Sequence, residues 1–373
     1  FDPGIILFNF KGENNMNLKK IPGLNKAMIV ILAASFLAGC SNSSSTEDAA
    51  IDKKNTAEST SSAENSNSDT EYPITIKHAL GETVIEEKPE KIATIFWGNQ
   101  DVPLALGIVP VGVSEANYGV TDDSGLLPWT LDGFQELGID SPVLFHDTDG
   151  LDYEAISDVQ PDVILAGYSG ITQEEYDLLS EIAPVVAYPE KPWVTSWREQ
   201  ILLDSKGIGM ESEGKKLVGG LENEIAEKTA SYPQLKGKTA AFMYFTPTDL
   251  GKFYVYLTAD PRAAYLTDLG LTLPDYLEEL EGDSDEFSVE ISAENVDKLQ
   301  DLDIIIAYGD ETLIKTLQDD PRLGTLPAVQ NESVVVLEND TPIAASSTPS
   351  ALSIPATIDE YLSLLGEAAD KVK

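Results

Sequence analysis

Short apolar runs alternate with helical spacing over most of the chain, and glycine, proline and aspartate mark the changes between them. Residues 92–97 read as a strand and 102–106 as the helix behind it, and 111–113 form a second strand. Residues 153–159 are helical, 163–166 a buried strand, 174–182 helical again and 185–187 a strand. This is a βαβ signature, which implies parallel strands covered by helices. A polar–apolar stretch at 211–231, ended by Tyr232-Pro233, spans roughly 30 Å if helical throughout. The alternation then resumes at 240–245, 254–257, the helix 263–269 and the strands 304–307 and 334–337, and 358–369 forms an amphipathic helix. The halves echo each other: 153–168 is a helix, a turn and a strand ending in Tyr168, and 295–308 repeats that plan up to Tyr308. The expected fold is α/β, with Rossmann-like lobes at 73–210 and 232–373 joined by a long helix at 211–231.

The N-terminal region breaks this pattern. Lys19, Lys20 and Lys26 precede the apolar run 27–38, which ends in Leu37-Ala38-Gly39-Cys40. A charged leader, a run too short to span a bilayer and small residues before a cysteine describe a lipoprotein signal, with Cys40 acylated after cleavage. Cys40 is the single cysteine of the chain, so no intrachain disulfide can form. Residues 1–15 fit no part of the signal. Lys11-Gly12-Glu13, read back into codons, can hold a purine-rich ribosome-binding site, so translation is expected to start at Met16 with 16–39 as signal peptide. Residues 41–72 are rich in Ser, Asn, Thr and acids, with Ile51 the one large aliphatic residue. Such a segment cannot offset its ordering entropy by burial, which makes 40–72 an acylated, disordered tether.

Charge narrows the function. The chain carries 64 acidic and 24 basic residues, a net charge of −40. Removing residues 1–39, with four Lys and two acids, takes this to −42. Nucleic-acid binding needs clustered Lys and Arg and is excluded on that ground. The remaining length exceeds one ordinary core and suggests two lobes.

Several segments together resemble the helix-bridged solute-binding proteins of iron–siderophore ABC importers. They are residues 74–84 with Ala79-Leu80-Gly81-Glu82-Thr83, Pro89-Glu90-Lys91-Ile92, Leu104 to Gly112, and Gln160-Pro161-Asp162-Val163-Ile164. Ile182-Ala183-Pro184, Ser196-Trp197-Arg198-Glu199, Leu266 to Gly270 and Leu326 to Val329 continue the series, so the likeness covers 73–373. The resemblance implies two α/β lobes with a cleft between them and docking onto a membrane permease with its ATPase. The lipoprotein signal leads to the expectation of a chain held by a lipid on Cys40 at the outer face of the cytoplasmic membrane, in a Gram-positive bacterium, and the chain is expected to be a monomer. Iron would enter only within the bound siderophore, with no cofactor of the protein's own. A cobalamin or haem binder of the same fold is the nearest alternative, and a surface-anchored hydrolase the alternative from another class.

In open α/β layers, ligands bind beyond the carboxyl ends of the strands. Trp97, Tyr118, Tyr168, Tyr188, Trp193, Phe245 and Tyr308 sit at or just after such ends. The arginines are Arg198, Arg262 and Arg322. Arg262 follows a strand and the turn Thr258 to Pro261 and is expected in the cleft, where a donor fork suits chelating oxygens; pairing with Asp260 or Asp268 is the alternative. Arg198 either touches ligand or stacks on Trp197, and Arg322 reads as surface salt-bridging. The resemblance implies a ligand contact at Tyr168 and in the Arg262 segment. Where some relatives place another cleft arginine, this chain has His146, Asp147 and Asp149. The resemblance also implies a permease-facing glutamate on each lobe, met here by Glu174 or Glu175 and by Glu311; helix-start acids favoured by the dipole are the alternative. Gly167-Tyr168-Ser169-Gly170-Ile171 lacks the second glycine of a nucleophile elbow, and neither HExxH nor a P-loop occurs. Direct metal capture needs His or Cys clusters, and the only histidines are His78 and His146. The expected function is non-enzymatic capture of a ferric siderophore, preferably a hydroxamate or mixed hydroxamate–carboxylate, because a strongly acidic protein repels anionic catecholate chelates.

Overall fold

The computed structural model describes residues 70–147, 150–282 and 286–373. Met16, Cys40, Asp149 and most of the expected tether lie outside the described residues.

The first lobe opens with a hairpin, β1 (Ile74–His78) and β2 (Gly81–Ile85), whose alternating burial sets Ile74, Ile76 and Ile85 against the sheet beneath. That sheet comprises β3 (Ile92–Thr94), β4 (Gly112–Ser114), β5 (Leu144–Phe145), β6 (Val163–Ala166) and β7 (Val185–Ala187), in the order β5-β4-β3-β6-β7. All its pairings are parallel. β3, β6 and β7 are buried at every position, which is why the sequence writes them as continuous apolar runs.

The second lobe holds β8 (Ala240–Thr246), β9 (Asp249–Tyr256), β10 (Ser288–Ser292), β11 (Ile304–Gly309) and β12 (Val334–Glu338), in the order β10-β9-β8-β11-β12. β3, β6 and β7 thus have counterparts in β8, β11 and β12, the structural form of the echo in the sequence. The lobes differ where the βαβ reading expected parallel strands. β9 runs antiparallel to both β8 and β10. Only Pro247 and Thr248 separate β8 from β9, enough for a hairpin and far too little for a parallel crossover.

The connecting helix Glu211–Thr229 buries Leu221 and Ile225 and packs against the helix Trp197–Gly207 and the C-terminal helix Ser353–Ala369. The last of these is five residues longer at its start than the apolar pattern indicated. β3 stops at Thr94, short of residue 97, because Phe96 takes φ 63° and turns the chain out of the sheet. Trp97 is therefore delivered on a loop.

Candidate ligand cleft

Two loops of the first lobe present aromatic rings. Tyr168 follows β6 and meets Trp193 edge-on at 5.5 Å between centroids, and Phe96 meets the same indole at 5.7 Å. Burial pushes the Tyr168 phenol well up from its ordinary value; Asp260 adds to the rise and Arg262 opposes it. Those two residues belong to the other lobe, so Tyr168 faces across the gap. Trp193 has φ 63°, and its Nε1 is buried without a hydrogen-bond partner. Trp97 packs with Tyr118 against Leu127, Trp129 and Ala345.

The second lobe contributes Arg262, at the start of the helix Pro261–Asp268. Its Nε and Nη2 donate to the two carboxylate oxygens of Asp260 at 2.8 and 2.7 Å, and its guanidinium lies 3.9 Å from the centre of the Tyr256 ring. Burial alone would lower the guanidinium's affinity for its proton; Asp260, Tyr256 and Tyr308 together hold it well above its ordinary value. The alternative pairing with Asp260 is thus realised, at a place where the arginine's charge also reaches Tyr118 and Tyr168 of the first lobe. Tyr308, at the end of β11, shares a 2.7 Å hydrogen bond with Ser347 and packs on Phe242 at 5.0 Å. Tyr118 and Tyr308 meet edge to face at 6.3 Å, so Trp97, Tyr118, Tyr168, Trp193, Arg262 and Tyr308 surround one region. The hydroxyl of Tyr256 is buried with no hydrogen-bond partner. A cleft so lined offers an apolar, π-rich wall with a few hydroxyl donors and one charge-matched guanidinium.

The lobes touch around this region. The Gly119 amide donates to Asp340 at 2.7 Å. Gly119 has φ +79°, and a Cβ there would lie 2.6 Å from Ala345, so only glycine permits the approach. Asp101, fully buried, accepts from Trp129 Nε1 at 3.1 Å, from Thr130 at 2.8 Å and from the hydroxyl of Ser350 across the junction.

Other sequence candidates go elsewhere. Arg198 stacks on Trp197 at 4.2 Å and is ion-paired to Glu222 at 2.7 Å and Asp268 at 2.9 Å, which makes it a strut between lobes and not a cleft donor. Phe245 belongs to the second-lobe core, and Tyr188 to the first-lobe core with its hydroxyl on the Ile171 carbonyl at 3.2 Å. Arg322 pairs with Asp320. Exposed His146 is bonded to Glu115 at 2.5 Å, which raises its pKa. Asp147 accepts from Ser114, and Asp152 caps the helix Tyr153–Asp158. Among the described residues no three His, Cys, Asp or Glu side chains are gathered so as to hold a metal ion. Glu175 closes a capping box with Thr172, while Glu174 and Glu311 are exposed.

Sequence reasoning missed Tyr256, Asn99 and Gln200. Tyr256 ends a strand whose alternate positions read as core. The two amides follow Trp97 and Arg198 in polar stretches that carry no periodic signal.

The periplasmic binding protein family profile matches residues 92–341. The chain belongs to that family. PiaA of Streptococcus pneumoniae TIGR4, solved in complex with ferrichrome, is 52% identical, superposes with a TM-score of 0.77 and aligns over 80% of this chain and 100% of its own. YhfQ of Bacillus subtilis (strain 168), named for a role as an ABC-transporter substrate-binding lipoprotein, is 29% identical over 175 residues, 46% of this chain; the match spans 50% of YhfQ. The ferric enterobactin-binding protein FepB of Escherichia coli is 24% identical over 289 residues, 73% of this chain and 86% of its own. The family is one of substrate-binding proteins, and among the described residues no helix is long and apolar enough to cross a membrane.

Proposed function

We propose that the chain captures a ferric siderophore of the hydroxamate or mixed hydroxamate–carboxylate type, without turnover, and passes it to an ABC permease. The carrying observation is the aromatic cleft around an arginine already neutralised by Asp260. Arg198 and Arg322 are likewise ion-paired to carboxylates, so no arginine among the described residues is spare for a polyanionic chelate. With the net charge of −40, this favours a neutral or weakly cationic ligand over a tris-catecholate. Ferrichrome, a neutral trishydroxamate, bound to the 52%-identical PiaA supports the same class. The iron is cargo within the chelate.

The lipobox at Cys40 and the lipoprotein name of YhfQ support a lipid anchor on the outer face of the cytoplasmic membrane. Exposed Glu174 and Glu311 are proposed to meet the permease, with Glu175 serving its own helix. Titration of purified protein with ferrichrome and with a ferric tris-catecholate, followed by tryptophan fluorescence at low and moderate salt, tests the ligand. Saturable quenching by ferrichrome alone is expected, and tight catecholate binding without a hydroxamate response refutes the assignment. Detergent partitioning of a Cys40→Ala variant tests the anchor: full retention with membranes removes it.

A further inference from the structure

The pairing of β3 with β6 ends at Thr94 and Leu165, and one more bond, from the Ile95 amide to the Leu165 carbonyl, closes the ladder. Beyond it the chain turns away at Phe96, so the main chain of Tyr168 is left beside no strand. Its amide and carbonyl are buried and require partners. The Asn99 side chain supplies both. Its Oδ1 accepts from the Tyr168 amide at 2.9 Å, and its Nδ2 donates to the Tyr168 carbonyl at 3.0 Å. Nδ2 also donates to the Ile95 carbonyl at 2.7 Å, and Oδ1 accepts from Gln200 at 3.0 Å, so all four positions of the amide are used. The same Gln200 nitrogen donates to the Trp97 carbonyl at 3.1 Å. One buried amide, 0% exposed, thus stands in for the missing strand and joins the loops that carry Tyr168 and Trp97.

We propose that Asn99 is a positioning residue: it touches no ligand, yet it locks the Tyr168 and Trp97 walls into one pre-organised surface and thereby sets the affinity for the ferric hydroxamate. This rests on the binding role proposed above. Holding cleft walls in place before binding removes an ordering cost that the ligand would otherwise meet. Asparagine is required by its chemistry. Aspartate has the same shape but turns Nδ2 into an acceptor against two carbonyls.

The test is a mutant cycle on the full-length protein, read by ferrichrome titration and by hydrogen exchange at the Tyr168 amide without ligand. Asn99→Ala and Asn99→Asp are each expected to weaken binding about tenfold or more and to speed Tyr168 exchange. Asn99→Ala combined with Tyr168→Ala should lose clearly less than the sum of the two single losses, since part of the Asn99 effect is exerted through the placement of the Tyr168 ring. Fully additive losses, native affinity in Asn99→Asp, or unchanged exchange at Tyr168 would each overturn the proposal. Should the Asn99 variants fail to fold, Gln200→Met removes the support from the other side. A partial loss that is non-additive with Tyr168→Ala is then expected, and native affinity overturns the idea. Wild-type protein that ignores ferrichrome refutes the ligand assignment instead, and the ligand-free exchange at Tyr168 still decides the role of Asn99.

Discussion

Arg262 and Asp260 form the most buried charge pair at the cleft, with side chains 12% and 2% exposed. The Asp260 carboxylate also accepts from the Arg262 amide at 2.9 Å and so caps the helix that begins there. Truncating the arginine leaves that carboxylate uncompensated in a site closed to water. Arg262→Ala is therefore expected to lower folding stability by about 3–5 kcal/mol, a cost separate from any lost ligand contact. Chemical denaturation without ligand measures it, and a stability within about 0.5 kcal/mol of wild type would mean that Asp260 finds another partner. Arg262→Lys keeps the charge but loses the fork and the stacking on Tyr256, and should fall in between.

Among the elements, the loop after β6 and the loop that carries Trp193 leave each other little room. A Cβ at Gly170 would lie 2.2 Å from the Trp193 Nε1. The indole, held by Tyr168 and Phe96 on its other sides, has nowhere to withdraw except toward the ligand region. Gly170→Ala should thus weaken ferrichrome binding by about tenfold, near 1.4 kcal/mol, while shifting melting far less than Arg262→Ala does. Unaltered affinity would show that Trp193 is no part of the ligand wall. The strands that place these loops were legible in the sequence because burial on both faces leaves only apolar residues, as at Val163–Ala166. Tyr168 and Tyr308 were legible as pseudo-equivalent ends of matching strands. The start of β9 was not, since Asp249 to Lys252 are exposed or half-buried and carry no apolar rhythm. Nor was the helix Pro128–Glu136, whose clearest mark is a proline at its first position. Asn99 was invisible for a different reason: its role is a pairing between positions 69 residues apart, and one residue's identity carries no trace of a partner that only the fold supplies.

For the whole molecule, Asp101 links lobe contact to pH. Burial raises its carboxyl from 3.8 to about 6, against the lowering effect of hydrogen bonds from Ser350, Thr130 and Trp129. All three donors are neutral, and the acids of the neighbouring helix Pro128–Glu136, Asp132 and Glu136, are exposed. A carboxyl whose folded value lies above its unfolded one favours folding most when protonated. Its contribution is complete below about 4 and is lost as pH rises through about 6, a difference of about 3 kcal/mol. Asp101→Asn can keep its oxygen toward Trp129 and Ser350 and turn its nitrogen to Thr130. It should flatten the pH dependence of melting between about 4 and 6; a variant that follows the wild-type curve would show that Asp101 does not titrate there.

Asp101 and Ser350 are 249 residues apart in the chain. During synthesis the first lobe can assemble its sheet long before the hydroxyl that completes this carboxylate's surroundings exists. Until then a buried acid at the tip of that lobe lacks one donor and draws water in. The contact that finishes the first lobe is among the last to become available, so the order of translation itself delays final compaction. Such delay keeps the early lobe pliable until the distant end of the chain has emerged.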